Sequence, residues 1–155
     1  MEKMKIIDMN EKHIPELAQL EKICFSQPWS EKSLSEELDN RTAHFLVAES
    51  DEKIAGYIGI FVVCESCYVS NVAVFPEYRR QGVAKQLIER ACVVAEENGA
   101  ESISLEVRPS NAAAVSLYGS VGFEEVGIRK NFYRAPVEDA LIMTRTLTKK
   151  TENQV

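Results

Sequence analysis

The segment Asn71-Val72-Ala73-Val74-Phe75-Pro76-Glu77-Tyr78-Arg79-Arg80-Gln81-Gly82-Val83-Ala84 restricts the fold more than any other part of the chain. An apolar strand ends at Val74, the chain turns at Pro76, and a helix begins near Gly82, with Ala84, Leu87, Ile88, Ala91 and Val94 at helical spacing. Between them, Arg79-Arg80-Gln81-Gly82-Val83-Ala84 forms a basic loop with two positions small enough for close backbone approach. Helix N-termini expose unpaired N–H groups and the positive end of the dipole, so they hold phosphates well. Two arginines just ahead add charge that pairs bidentately with phosphate oxygens. Such a loop suits a pyrophosphate. The same spacing also suits an ordinary strand–loop–helix joint with a solvated basic face.

At 155 residues the chain is expected to form a single domain over 1–148 with a polar tail at 149–155. Its hydrophobic content of 45% and charged content of 27% are those of an ordinary soluble domain. No apolar run approaches a membrane span, and Met1-Glu2-Lys3-Met4-Lys5 is not followed by a signal-peptide core, so a cytoplasmic protein with no membrane partner is expected. The net charge of −6 disfavours nucleic acid and favours a cationic partner. Among the four cysteines, Cys24 and Cys92 read as core residues on apolar helical faces. Cys64-Glu65-Ser66-Cys67 has the spacing of half a zinc site, but no second Cys or His pair accompanies it, so a hairpin turn and no metal are expected. His13 and His44 read as structural or surface residues.

Local patterns give an alternating order of elements. A strand at about 4–8 precedes an amphipathic helix from about Asn10, with Ile14, Leu17, Ala18 and Ile23 facing inward. The Phe25–Ser30 stretch is a break, after which Ser30 caps a short helix carrying Leu34 and Leu38. Strands are expected at 45–49, 54–62 and 67–74, then the long helix at 82–98, stopped by Asn98-Gly99. A strand at 102–107, a helix at 111–121 closed by Gly122, and strands at 123–132 and 139–147 complete an α/β domain with a mixed sheet.

Alternation also orients the candidate chemistry. Ile103, Leu105 and Val107 share one face of their strand, leaving Glu106 on the other with Ser102 and Ser104. A mid-strand carboxylate is commonly plain surface, but a strand next in sequence to the phosphate-seating helix makes a cleft position plausible for this one. Asn111 and Tyr118 lie two helical turns apart on one face of the next helix. On residue type alone, Asn111 is equally an N-cap and Tyr118 equally a packed aromatic.

Arg79-x-x-Gly82-x-Ala84 after Asn-Val-Ala-Val resembles the acetyl-CoA signature of the Gcn5-related N-acetyltransferases. The stretch from Ser104 to Tyr118, followed by Gly122-Phe123, is similar to the other half of that family's site, in the right order and spacing. The resemblance extends from about Met4 to Leu147 and is strongest toward the RimI-type branch, which acetylates the N-terminal alanine of small-subunit ribosomal protein eighteen. Phe25-Ser26-Gln27-Pro28-Trp29-Ser30-Glu31-Lys32, Leu105-Glu106-Val107-Arg108, Arg129-Lys130-Asn131-Phe132-Tyr133 and Glu138-Asp139-Ala140 carry that likeness. Pro109 departs from it, and the Cys64/Cys67 turn has no counterpart.

The resemblance implies the acyltransferase fold, acetyl-CoA as co-substrate and direct transfer to an amine. It implies a cofactor set of Val72, Ala73, Val74, Arg79, Arg80, Gln81, Gly82, Val83, Ala84, Lys85, Asn111 and Tyr118. Glu106 becomes the base, directly or through water, and Tyr118 the donor to the departing thiolate. Trp29, Tyr133 and Glu138 become substrate contacts, and the partner becomes the N-terminal segment of a basic ribosomal protein. Glu36, Glu37, Asp39, Glu138 and Asp139 are the acids expected to border the amine. A lysine, polyamine or drug-amine acetyltransferase, a non-catalytic acyl-CoA sensor and a scaffold protein stay open as alternatives.

Overall fold

The computed structural model describes residues 4–147. Met1–Lys3 and residues 148–155, including the polar tail expected from 149, lie outside the described residues. The strands are β1 (Met4–Asp8), β2 (Ala43–Ser50), β3 (Lys53–Val63), β4 (Ser66–Val74), β5 (Ser102–Val107), β6 (Glu124–Arg134) and β7 (Val137–Thr146). The helices are α1 (Ile14–Cys24), α2 (Glu31–Glu36), α3 (Val83–Glu97) and α4 (Ala112–Ser120). The strands form a mixed seven-stranded sheet in the order β1-β2-β3-β4-β5-β7-β6. The element order is the expected one. The chain divides into two compact units: residues 4–61 with 70–91, and residues 62–69 with 92–147. No helix among the described residues is long and apolar enough to cross a membrane.

In the first unit, Asn10 opens the first helical segment. Its side-chain oxygen accepts from the Lys12 N–H, and its own N–H donates to Nδ1 of His13, a reciprocal cap that satisfies otherwise orphaned donors. The other nitrogen of His13 meets Glu49 of β2 at 2.9 Å, so this histidine is structural, as expected. Ile14, Leu17, Ala18 and Leu20 of α1 are buried. Ile23 is not: it is 55% exposed, and the inward place one turn beyond Leu17 and Ala18 belongs to Glu21. Polarity hid this position from the periodic reading.

Glu21 is fully buried, and three donors converge on it: the Trp29 N–H at 2.8 Å, the Tyr57 hydroxyl at 2.5 Å and the Asn71 side-chain amide at 3.2 Å. A buried carboxylate is tolerated only when it is satisfied in this way. The three bonds join α1 to the loop before α2, to β3 and to β4. Burial, with the Glu21 charge second, pushes the Tyr57 phenol far above its usual range, which keeps it a donor. Leu17, Leu20, Leu34, Phe45 and Tyr57 pack around this network. A Cβ on Gly56 would lie 2.5 Å from the Ala73 carbonyl oxygen, so β3 and β4 need a glycine there.

In the second unit, β5 pairs parallel with β4 from Ser66↔Ser102 to Tyr68↔Ser104 and antiparallel with β7, where Glu106 faces Ile142. Ile103, Leu105 and Val107 are buried and Glu106 lies on the opposite face, as alternation requires. Asn111 caps α4 by accepting from the Ala114 N–H. Beyond its end Gly122 takes φ +97, the left-handed conformation expected of a helix stop. Cys64 and Glu65 form the turn between β3 and β4, with Cys64 exposed, while Cys67 is buried in β4. Cys92 is buried as expected, whereas Cys24 is only half-buried.

Candidate active site

Between β4 and α3 the chain makes a single turn over Pro76–Tyr78 and then enters the basic loop. Arg80 and Gly82 both have positive φ, +65 and +79. The first helical hydrogen bond runs from the Gln86 N–H to the Gly82 carbonyl at 3.1 Å. The N–H groups of Val83, Ala84 and Lys85 therefore belong to the unpaired first turn of a helix of 15 residues. A Cβ on Gly82 would meet nothing within 4 Å, so the space in front of that turn is open. These features fit a phosphate-bearing ligand: free donors, a dipole terminus, and the exposed cations Arg80 and Lys85. Arg79 has another task. Its Nε donates to the Val74 carbonyl at 3.1 Å and its Nη2 to the Cys24 sulfur at 3.4 Å, fastening the loop to the strand end. Gln81 likewise donates to the Glu77 carbonyl at 3.2 Å. Val72 and Val74 are half-buried and Ala73 is buried between them. Trp29, also in the first unit, stacks obliquely near Phe45 at 5.8 Å.

The candidate acid–base residues lie in the second unit. Glu106 has a side chain only 6% exposed and both oxygens occupied. The Tyr68 hydroxyl donates to Oε1, and Nε of Arg129 donates to Oε2 at 2.7 Å. Sheet register explains the meeting. Tyr68 sits opposite Ser104, two residues from Glu106 along the same face. On the other side Glu106 faces Ile142, which faces Gly127, and Arg129 faces Ala140. Arg129 therefore reaches over β7 across a row in which Gly127 and Ala140 leave it room. Neither partner was foreseen. The alternation Cys67-Tyr68-Val69 already turned Tyr68 toward the polar face, but Arg129 required knowing that β7 lies between β5 and β6.

Burial pushes the Tyr68 phenol above its usual range, helped by its hydrogen bond to Glu106. Tyr118 is buried against Phe123, ring centroids 5.7 Å apart. Desolvation, then the nearby Tyr133, pushes its phenol up to about 12. Its proton is thus retained at neutral pH. Tyr133 lies under the Arg108 guanidinium, 4.3 Å from ring centroid to Cζ, and is itself raised to about 12, first by burial and then by Glu106.

Glu138 is engaged by its own unit. It accepts from the Ser110 N–H and hydroxyl, both at 2.9 Å, and from Arg108 at 3.1 Å. Partial burial works to raise its carboxyl, but the Ser110 and Arg108 donors outweigh that and hold it below the usual range. The carboxylate thereby braces the turn that leads into α4. Asp139 accepts from the Asn131 N–H at 2.8 Å, and Glu37 from the Asn40 amide at 2.9 Å. The structure thus gathers Glu106, Tyr68, Arg129, Arg108, Tyr133 and Glu138 in one unit, while the basic loop at 79–85 and Trp29 belong to the other.

The profile of the Acetyltransferase (GNAT) family matches residues 14–123. A Bacillus subtilis (strain 168) relative, provisionally named for ribosomal protein bS18-alanine N-acetylation, is 40% identical over 94% of this chain and 97% of its own length. The ribosomal protein bS18-alanine N-acetyltransferase of Escherichia coli (strain K12) is 37% identical over 84% of this chain and 88% of its own. The crystal structure of an Escherichia coli enzyme of that activity superposes with a TM-score of 0.87 at 32% identity, covering 99% of both chains. With a family match over residues 14–123 and relatives of this identity and coverage, the chain belongs to the GNAT family of acetyltransferase enzymes, a family that uses acetyl-CoA.

Proposed function

We propose that the chain transfers the acetyl group of acetyl-CoA directly to the α-amino group of an N-terminal alanine, that of small-subunit ribosomal protein eighteen, in the cytoplasm. The observation that carries this reading is Glu106, a nearly buried carboxylate on β5 whose oxygens accept from the Tyr68 hydroxyl and the Arg129 guanidinium. The names of the bacterial relatives support the choice of substrate.

Acetyl-CoA supplies the activated acetyl thioester. Its phosphates suit the N–H groups of Val83, Ala84 and Lys85, with Arg80 and Lys85 as free charge and Arg79 bracing the loop. The N–H groups of Val72 and Val74 are the assigned donors to the acyl carbonyl, where they would also favour an oxyanion. Asn111 is assigned to the cofactor in addition to its capping bond. Glu106 takes the amine proton, directly or through water. Tyr118 donates to the leaving sulfur, its proton kept in place by burial. Trp29 and Tyr133 contribute apolar surface to the peptide. Glu138 acts by holding the β5–α4 turn.

Acidity favours an α-amine. With a pKa near 8 it is roughly one-tenth neutral at pH 7, against about one part in 2,500 for lysine. The chain's net charge of −6 favours a basic segment behind the alanine. The test is competition for acetyl-CoA among peptides beginning Ala-Arg and Ala-Glu and an N-acetylated peptide with an internal lysine, resolved by mass spectrometry. The Ala-Arg peptide is expected to be acetylated first, on its terminus. Preference for the lysine peptide or for Ala-Glu overturns the assignment.

A further inference from the structure

The Glu106 carboxylate has a cation of this chain on it. The Arg129 Nε lies 2.7 Å from Oε2, and the two side chains differ sharply in exposure: 6% for Glu106 and 57% for Arg129. The pair is therefore anchored at one end only. Arg129 projects from β6, the last strand of the sheet. Its pairing with β7 is interrupted directly afterwards, between Arg129 and Tyr133. The other oxygen of Glu106 is held differently, by the neutral hydroxyl of Tyr68 on β4, a strand paired on both sides. Tyr68 is itself 41% exposed, but of the two donors only Arg129 is charged and on an edge strand.

We infer that the Arg129 guanidinium occupies the place of the substrate's ammonium group, and that a cationic amine binds by exchanging with it on Oε2 of Glu106. The inference rests on the assignment of Glu106 as the base. A carboxylate this buried is costly to leave unpaired, so Arg129 leaves when another cation arrives. Exchange of one positive charge for another keeps the cluster's charge constant. A neutral ligand, such as an already acetylated terminus, offers no replacement and does not displace the arginine. Arg129 thereby sets a charge requirement at the first atom of the substrate, and an ammonium seated on Oε2 directs a proton at the group that must remove it. Arg129 is a specificity residue acting by competition.

The experiment follows the Arg129 Nε–H by nitrogen-15 NMR in the wild-type protein with coenzyme A, as the Ala-Arg peptide or its N-acetylated form is added. The free-amine peptide is expected to move the resonance from its carboxylate-paired position to that of a solvated guanidinium, and the acetylated peptide to leave it in place. Kinetics give the second readout. Removing an internal competitor should raise kcat/KM for the Ala-Arg peptide about threefold to fivefold in Arg129→Ala, the range of a half-exposed ion pair, and Arg129→Lys should return it toward wild type. If wild type acetylates the peptide while the Nε–H stays paired at saturation, or if Arg129→Ala lowers kcat/KM, Arg129 supports Glu106 and the exchange is wrong. If wild type acetylates no amine terminus, the functional assignment fails and this inference fails with it.

Discussion

Glu106 and Tyr118, the proposed base and acid, have contrasting surroundings. Glu106 sits among donors, the Tyr68 hydroxyl and the Arg129 guanidinium, which keep its lone pairs aimed and its charge compensated. Tyr118 sits among rings, beside Phe123, where desolvation raises the phenol to about 12 and keeps its proton on. Conservative changes separate chemistry from folding. Glu106→Gln keeps an acceptor for Tyr68 but cannot take a proton; Tyr118→Phe keeps the packed ring and loses only the hydroxyl. Loss of acid–base assistance typically costs a hundred- to ten-thousandfold, so kcat should fall by about that factor in each variant while calorimetric affinity for acetyl-CoA changes little. Near wild-type turnover in either variant would strip that residue of its role. The face on which Glu106 lies was legible from alternation, because period-two burial is local. Its partner Arg129 was not, because that contact depends on which strand intervenes.

At the scale of elements, the β4–loop–α3 unit joins a constraint on conformation to one on space. Gly82 needs φ +79, and the volume in front of it is empty. A side chain there incurs backbone strain and also projects into the region assigned to the cofactor's phosphates. Gly82→Leu is therefore expected to weaken acetyl-CoA by about 1–3 kcal/mol, as in other overfilled sites, with Gly82→Ala between it and wild type. Calorimetric titration of the folded variants measures this, and unchanged affinity in Gly82→Leu would remove the phosphate seat. This unit was readable because Pro, Gly and the helical period all speak locally. Two details escaped that reading. Arg79, one of two similar arginines, turns back to Val74 and Cys24, a choice made by the half-buried sulfur and the strand's last carbonyl. Glu21 takes the inward place expected of Ile23, since Tyr57, Asn71 and the Trp29 backbone supply donors that no helical pattern announces.

Across the whole molecule, the fold was legible because the order of elements, the two glycine-stopped helices and the alternating strands agree with one another. Less visible is the set of protons that folding locks away. The Cys67 thiol is raised from 9.0 to about 12, by burial first and the neighbouring Cys92 second. Tyr118 is likewise raised to about 12, and burial moves Tyr57 further still. An unfolded chain releases such protons from about pH 8.5 to 10. Between that range and the folded values, the unfolded state binds fewer protons than the native state, so stability falls as pH rises. Each group's contribution is complete below its unfolded pKa and is lost as pH climbs through the folded one, with a slope of up to about 1.4 kcal/mol per pH unit. Urea unfolding measured from pH 8 to pH 11 should therefore show a midpoint that declines most steeply above pH 10. Tyr118→Phe and Cys67→Ala, though less stable at pH 8, should each show a shallower decline because one locked proton is gone. A midpoint that stayed level to pH 11, or variants that declined as steeply as wild type, would mean that these groups ionise as readily in the folded protein as in the open chain.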